Sequence, residues 1–291
     1  MIFRQLVDAG SSTYTYLLGC PQTCEAILLD PVLEAVERDL AVLRALNLRL
    51  AFTLETHIHA DHLSSAWVLR DRTGCQVAYP ATEMVACSDV QVAEDRPFRF
   101  GHLTLLPLHT PGHTAGSYSY FFCQGVPPML FTGDALLIDG CGRTDLQGGD
   151  AAVLYRSIHQ MIFTLPDDTL VYPGHDYNQR RVSTVAQERA RNQRLGNGKP
   201  IEEFVAIMAN LNLPLPTKID VAVAANRCCG RRQGCRAIHG GCDVPHNPFR
   251  CHASEDPQVA VAYRTRASAP TSVLLPDTDA DTTALIAGAR G

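Results

Sequence analysis

Over residues 1–228 the sequence reads as a layered α/β architecture. Short apolar runs of strand length alternate with helical apolar stripes, aspartate and glycine stand where helices would begin and end, and polar turns bearing histidine follow several of the strands. Residues 3–7, 13–18 and 26–29 are expected as strands separated by turn residues. Asp30-Pro31 then reads as a helix start, with Asp30 as N-cap and proline in the first helical position. The stripe of that helix is Val32, Val36, Leu40, Leu43 and Leu46. A strand is expected over 49–54, then a histidine-rich loop, then a helix over 63–72 closed by Gly74. Strands follow over 76–79, 103–108, 118–122 and 129–132. Asp150 caps a helix over 151–163, residues 169–172 form a strand, and helices over 179–192 and 201–211 complete the regular part.

Composition narrows the class. A chain of 291 residues buries enough surface to fold without disulfides. Its 46% hydrophobic and 19% charged residues are those of a soluble globular protein. A net charge of −5 supplies no basic field for nucleic acid, and no apolar run reaches the ~18 residues of a membrane span. The opening MIFRQLVDAGSSTY lacks the apolar stretch of a signal peptide, so a cytoplasmic location is expected. Eleven cysteines, odd in number and widely spaced, are expected as reduced thiols. Two regions result: a catalytic domain over 1–229 and a tail over 230–291. The tail is rich in Gly, Pro, Ser, Thr and Arg, has only Phe249 and Tyr263 as aromatics, and is expected to be disordered. Its Cys235, His239, Cys242, His246, Cys251 and His252, with Cys228 and Cys229 before them, match no familiar zinc-finger spacing.

Thr56-His57-Ile58-His59-Ala60-Asp61-His62 places three imidazoles and a carboxylate in one loop directly after a strand. Three more ligand types stand at strand ends: His113 in Thr-Pro-Gly-His-Thr, Asp134 in Thr-Gly-Asp, and His175 in Tyr-Pro-Gly-His-Asp. Neutral imidazole and carboxylate suit zinc, iron or manganese with positions left open for substrate, so the site is catalytic in type.

This ordered series resembles the metallo-β-lactamase superfamily. The resemblance implies an αββα sandwich of two mixed β-sheets flanked by helices, with the metal at one edge. Three further segments resemble the persulfide dioxygenases: Cys141-Gly142-Arg143-Thr144-Asp145, His175-Asp176-Tyr177, and a C-terminal run including Asn210-Leu211-Asn212-Leu213-Pro214, Ile219-Asp220 and Ala225-Asn226. Together they cover about residues 1–229. That family implies an iron-dependent oxidoreductase of sulfur metabolism, with one Fe(II) per chain on His57, His113 and Asp134. A persulfide sulfur and O2 would share this redox-active ion, and glutathione persulfide would leave as sulfite and glutathione. His59, Asp61, His62 and His175 would orient ligands or water, or hold a second metal. Arg143 is expected to meet a glutathione carboxylate, with Tyr177 and Asn226 as further substrate contacts. No protein nucleophile is needed, so Cys141 is read as a buried thiol in the pocket wall. Neither nucleic acid nor membrane is expected as a partner, and a homodimer is left open.

Two rivals belong to other classes. A glyoxalase-II-like hydrolase of S-acylglutathione would bind two Zn(II) or mixed metals. His57, His59 and His113 would hold one ion, Asp61, His62 and His175 the other, and Asp134 would bridge. It would carry a longer helical substrate domain than this chain has. A non-catalytic metal- or sulfur-binding sensor would use the cysteine-rich tail. A β-lactamase is expected to be exported and to carry a leader.

Overall fold

The computed structural model of the chain describes residues 1–231. The expected tail, with its cysteines and histidines from Cys235 onward, lies outside the described residues. β1 (Ile2–Asp8) pairs with β2 (Thr13–Gly19), and β2 is buried along its whole length, which requires cover on both faces of its sheet. The sheet continues through β3 (Glu25–Leu29), β4 (Arg49–Leu54), β5 (Gln76–Pro80) and β6 (Val90–Val92), antiparallel as far as β3 and parallel beyond. The second sheet contains β7 (Phe98–Phe100), β8 (Leu103–His109), β9 (Tyr118–Phe122), β10 (Met129–Gly133), β11 (Leu170–Pro173) and β12 (Ser183–Thr184), with only β10 and β11 parallel. Both sheets are mixed.

The two sheets meet face to face. Tyr16, Ile27, Leu29 and Leu54 of the first pack with Phe100, Leu105, Tyr120 and Phe131 of the second in one apolar core. The alternate residues Leu17, Leu28 and Leu50 point outward onto α1 (Val36–Ala45) and α2 (Ala66–Thr73) through Leu40, Leu43 and Leu69. On the other sheet Leu106, Phe121, Leu130 and Val171 are buried too, and α3 (Ala151–Ser157) and α4 (Val185–Arg191) supply buried Leu154 and Val185. α5 (Ile201–Ala209) and α6 (Ile219–Asn226) follow. Among the described residues no helix is long and apolar enough to cross a membrane.

Several local expectations change. Asp30 caps no helix: its φ is +50°, its carboxylate turns inward onto Thr56, and α1 starts at Val36 after a 3-10 turn. The helix expected from residue 179 begins at Val185, because Ser183 and Thr184 pair with β11 and Thr184 then caps by accepting from Gln187 N. The helix over 151–163 becomes α3 followed by a π-helical turn, Ile158–Ile162, although Asp150 caps it as expected. Gly74 closes α2 at φ +72°. β6, β7, β12 and α6 are additions to the expected elements. Cys87 and Cys229 are joined in a disulfide, against the expectation of eleven reduced thiols.

Candidate metal centre

The ends of four strands converge at one edge of the sandwich. β4 leads into His57, the β8–β9 turn carries His113, β10 leads into Asp134, and β11 leads into His175. Buried Asp30, at the end of β3, organises the first of these. Its Oδ1 accepts from Thr56 N at 2.7 Å and its Oδ2 from Thr56 Oγ1 at 2.9 Å. With its proton committed, Thr56 Oγ1 accepts from His57 Nδ1 at 2.9 Å and leaves Nε2 unprotonated. His113 Nδ1 donates to Arg143 O at 2.7 Å, which frees its Nε2, 3.6 Å from Asp134 Oδ2. Asp134 Oδ1 accepts from His175 Nδ1 at 2.6 Å, which frees Oδ2.

Each of the three side chains is therefore tied by one atom and offers the other, and one atom of each lies within 4.8 Å of the other two. Burial, followed by the neighbouring His59 and His113, pushes the His57 imidazole well below its usual range and keeps it neutral. Burial alone would raise Asp134, but the His175 imidazole, then His113 and His57, hold it well below the ordinary carboxylate range. Two imidazoles, each with its Nδ1 committed as a donor, and one carboxylate on one side of a cavity fit a transition-metal ion with open positions, and the tied atoms fix their aim.

The other four histidine-loop and strand-end residues form a separate layer. His175 Nε2 lies 2.9 Å from Asp61 Oδ2 and 3.0 Å from Thr13 Oγ1, while its Nδ1 serves Asp134, so both nitrogens are engaged. Burial would depress His175, but Asp134 and Asp61 outweigh it and hold the ring well above its usual range, as an imidazolium. Asp61 Oδ2 also meets His62 Nδ1 at 2.9 Å. His59 turns its Nε2 between Asp30 Oδ1 at 3.1 Å and Glu55 Oε2 at 3.2 Å, behind the loop. His59, Asp61 and His62 also bring one donor each within 4.8 Å, and His59 Nδ1 and His62 Nε2 are buried without a hydrogen-bond partner.

A cavity of about 540 Å³ opens over His113 and Asp134. Arg143, Arg180 and Arg194 line it along with Asp61, Asp134, Asp139 and Asp176, and Arg180 is paired with Asp139 and Asp176. Arg143 donates from Nε and Nη2 to Asp145 and from Nη1 to Pro214 O, each at 2.7 Å, so its fork is closed on the protein's own carboxylate. Tyr177 stands on the rim, 75% exposed. Cys141 forms buried wall, its carbonyl accepting from Arg194 at 2.7 Å, and burial pushes its thiol up to about 11. Asn226 is not a substrate contact: it is fully buried, and its amide is engaged by Ser64 N, His59 O and His62 O. Asp30, Thr13, Thr56, Arg180 and Arg194 were missed by reading the sequence. Asp30 could have been found, since it ends an apolar strand as the ligands do.

The family model of the metallo-β-lactamase superfamily matches residues 8–175, more than half of the chain. The mitochondrial persulfide dioxygenase ETHE1 of Mus musculus is 47% identical over 231 residues, 79% of this chain and 89% of that protein. The crystal structure of ETHE1 from Myxococcus xanthus is similar at 51% identity with a TM-score of 0.76, covering 79% of this chain and 100% of that one. A hydroxyacylglutathione hydrolase of Rhizobium johnstonii is more distant, 33% identical over 77% of this chain and 80% of its own.

Proposed function

The chain belongs to the metallo-β-lactamase superfamily and, within it, to the persulfide dioxygenases, and from that premise we propose that it oxidises glutathione persulfide with O2 and water to sulfite and glutathione at one Fe(II). The observation that carries the metal assignment is the trio His57, His113 and Asp134, each with one atom tied and one free. Bound there, Fe(II) would supply the electrons that activate O2 and adjacent open positions for sulfur and oxygen, which redox-inert zinc would not. The protein's part is placement. Arg143 fixes His113 through its carbonyl, and His175 fixes Asp134. Cys141, buried and with its thiol pushed up to about 11, stays protonated near neutral pH and serves as wall rather than nucleophile.

The hydrolase reading needs His175 as a metal ligand through Nε2, which lies 2.9 Å from its co-ligand Asp61 and 3.0 Å from Thr13 Oγ1, while its Nδ1 serves Asp134. His59 Nδ1 and His62 Nε2, buried without a hydrogen-bond partner, are the atoms that a dinuclear site would add, so metal counting belongs in the test. Iron-loaded protein given glutathione persulfide is expected to consume O2 and release sulfite, with one iron per chain and no hydrolysis of S-acylglutathione. Thioester hydrolysis without oxygen uptake would overturn the assignment. Replacing His113 by alanine should abolish iron retention and turnover together.

A further inference from the structure

Helix α6 carries a side chain that ties down the metal loop from behind. Asn226 Oδ1 accepts from Ser64 N at 2.8 Å, and its Nδ2 donates to His59 O at 2.9 Å and His62 O at 2.8 Å. These bonds span the turn that follows His57 and join it to α6.

Apart from the Asn226 bonds, α6 is held by modest contacts, with Val223 packing partly buried against the cluster of Ile58, Val77 and Tyr79. Eight residues are too few for a helix to persist alone in water, and its buried Ala222 and Ala225 present only methyl groups to Leu63 and Leu33. The anchor lies just beyond the helix. Cys229, fully buried and three residues after Asn226, is bonded to Cys87, and its carbonyl accepts from Trp67 N at 3.0 Å. Gly230 packs so tightly that an added Cβ would lie 2.0 Å from Ser64 O. The disulfide thus fastens the Asn226 clamp to the segment after β5, closing a separation of 142 residues.

The bond is reachable from one end. Cys87 is partly exposed whereas Cys229 is buried. Arg70 donates to Cys87 O at 3.4 Å, and the guanidiniums of Arg70 and Arg231 lie 5.3 and 3.9 Å from the Trp67 ring centroid in the same cluster. Arg70 is also paired with Asp89 at 3.2 Å, so Arg231 is the cation of this cluster that favours an anionic thiolate and the thiolates formed on opening.

We propose that Cys87–Cys229 is a thiol-exchange site for anionic low-molecular-weight thiols, and that opening it releases α6 and loosens the Asn226 clamp on the metal loop. A thiolate attacks Cys87 Sγ, forming a mixed disulfide as the Cys87–Cys229 bond breaks, and Cys229 leaves as a thiolate that takes a proton. A second thiolate attacks the carrier sulfur of that mixed disulfide and frees Cys87. In sum, two small thiols are oxidised to one disulfide and the protein disulfide is reduced to two thiols. The inference rests on the functional reading only for the identity of the thiol, since glutathione would be the reaction's product.

The test uses full-length iron-loaded protein equilibrated in glutathione buffers from oxidising to reducing and then desalted. Peptide mapping follows the Cys87–Cys229 bond, a chelator reads iron release, and hydrogen exchange reads residues 219–230. Opening is expected to speed iron release about tenfold and to raise exchange in α6. Cys87→Ser should release iron at the reduced wild-type rate in every buffer. Cys228→Ser, beside the bonded cysteine but itself unbonded, should keep the wild-type dependence. Asn226→Ala should be fast throughout, with no further gain when combined with Cys87→Ser. Equal release from oxidised and reduced wild type, or mapping that finds Cys87 not joined to Cys229 under oxidation, overturns the proposal. Because the readouts are metal retention and exchange, a protein that fails to oxidise persulfide yet shows this dependence would sink the functional reading alone.

Discussion

His113 owes its aim to a residue without a side chain. Gly142 N donates to Asp134 O at 2.8 Å, and the next carbonyl, of Arg143, receives His113 Nδ1. A Cβ on Gly142 would lie 2.3 Å from Asp134 O and 2.8 Å from His113 Nδ1, and the nearer of these is backbone that cannot swing away. Gly142→Ala is therefore expected to lower metal affinity about 10–100-fold, read by competition with a chelator, and an unchanged affinity would refute this account of the turn. At this scale the sequence discloses ligand types well and their supports poorly. His57, His113, Asp134 and His175 share one visible signature, a polar residue just past an apolar strand. Asp30 has that signature too, but the proline after it reads equally well as a helix start. Asn226 sits among alanines, and nothing local says that its amide is buried against a loop more than 160 residues away.

At the scale of elements, legibility follows length and period. β4, β8 and β10 are apolar runs with a turn behind them and were expected nearly to the residue. β12 is only Ser183–Thr184, made a strand by its pairing to β11, and α6 buries alanines that give no stripe. α1 was legible by its stripe, yet it hides a titrating group. Asp39 is fully buried beside Arg38, and burial, against the opposing pull of that guanidinium, raises its carboxyl from the ordinary 3.8 to about 6. A pKa raised on folding means that the folded chain binds this proton more tightly than the unfolded chain does. Its contribution is thus most favourable below about pH 4 and declines as pH rises from about 4 to about 6, by roughly 3 kcal/mol at most. Asp39→Asn should remove that decline. Denaturant midpoints of the two proteins, compared between pH 4.5 and 7, should diverge in favour of the variant as pH rises, and parallel profiles would count against the buried carboxyl.

For the whole molecule, the metal centre is a seam. His57 comes from the first sheet, whereas His113, Asp134 and His175 come from the second, so the layers must hold register at that edge. Alternating strands and helices in the sequence indicate layers but not which strands pair, and the two-sheet arrangement came from the resemblance rather than from periodicity. Two buried tyrosines cross between the layers there. Tyr16 of β2 donates to Pro173 O at 2.5 Å, two residues before His175, and Tyr120 of β9 donates to Glu55 O at 2.8 Å, two residues before His57. Tyr120→Phe leaves that carbonyl buried without this donor, at about 1–3 kcal/mol, or some 2–4 °C of melting temperature per kcal/mol for a domain of this size. If the bond only joined the sheets, metal-free and metal-loaded protein would lose the same amount. Metal binding adds to stability in proportion to its affinity for the folded seam. Because Glu55 leads directly into Thr56 and His57, the phenylalanine variant should bind metal more weakly and lose more stability when loaded than when empty. Thermal melts of both forms decide the matter, and equal losses would show that the tyrosine fastens the layers without aligning the ligands.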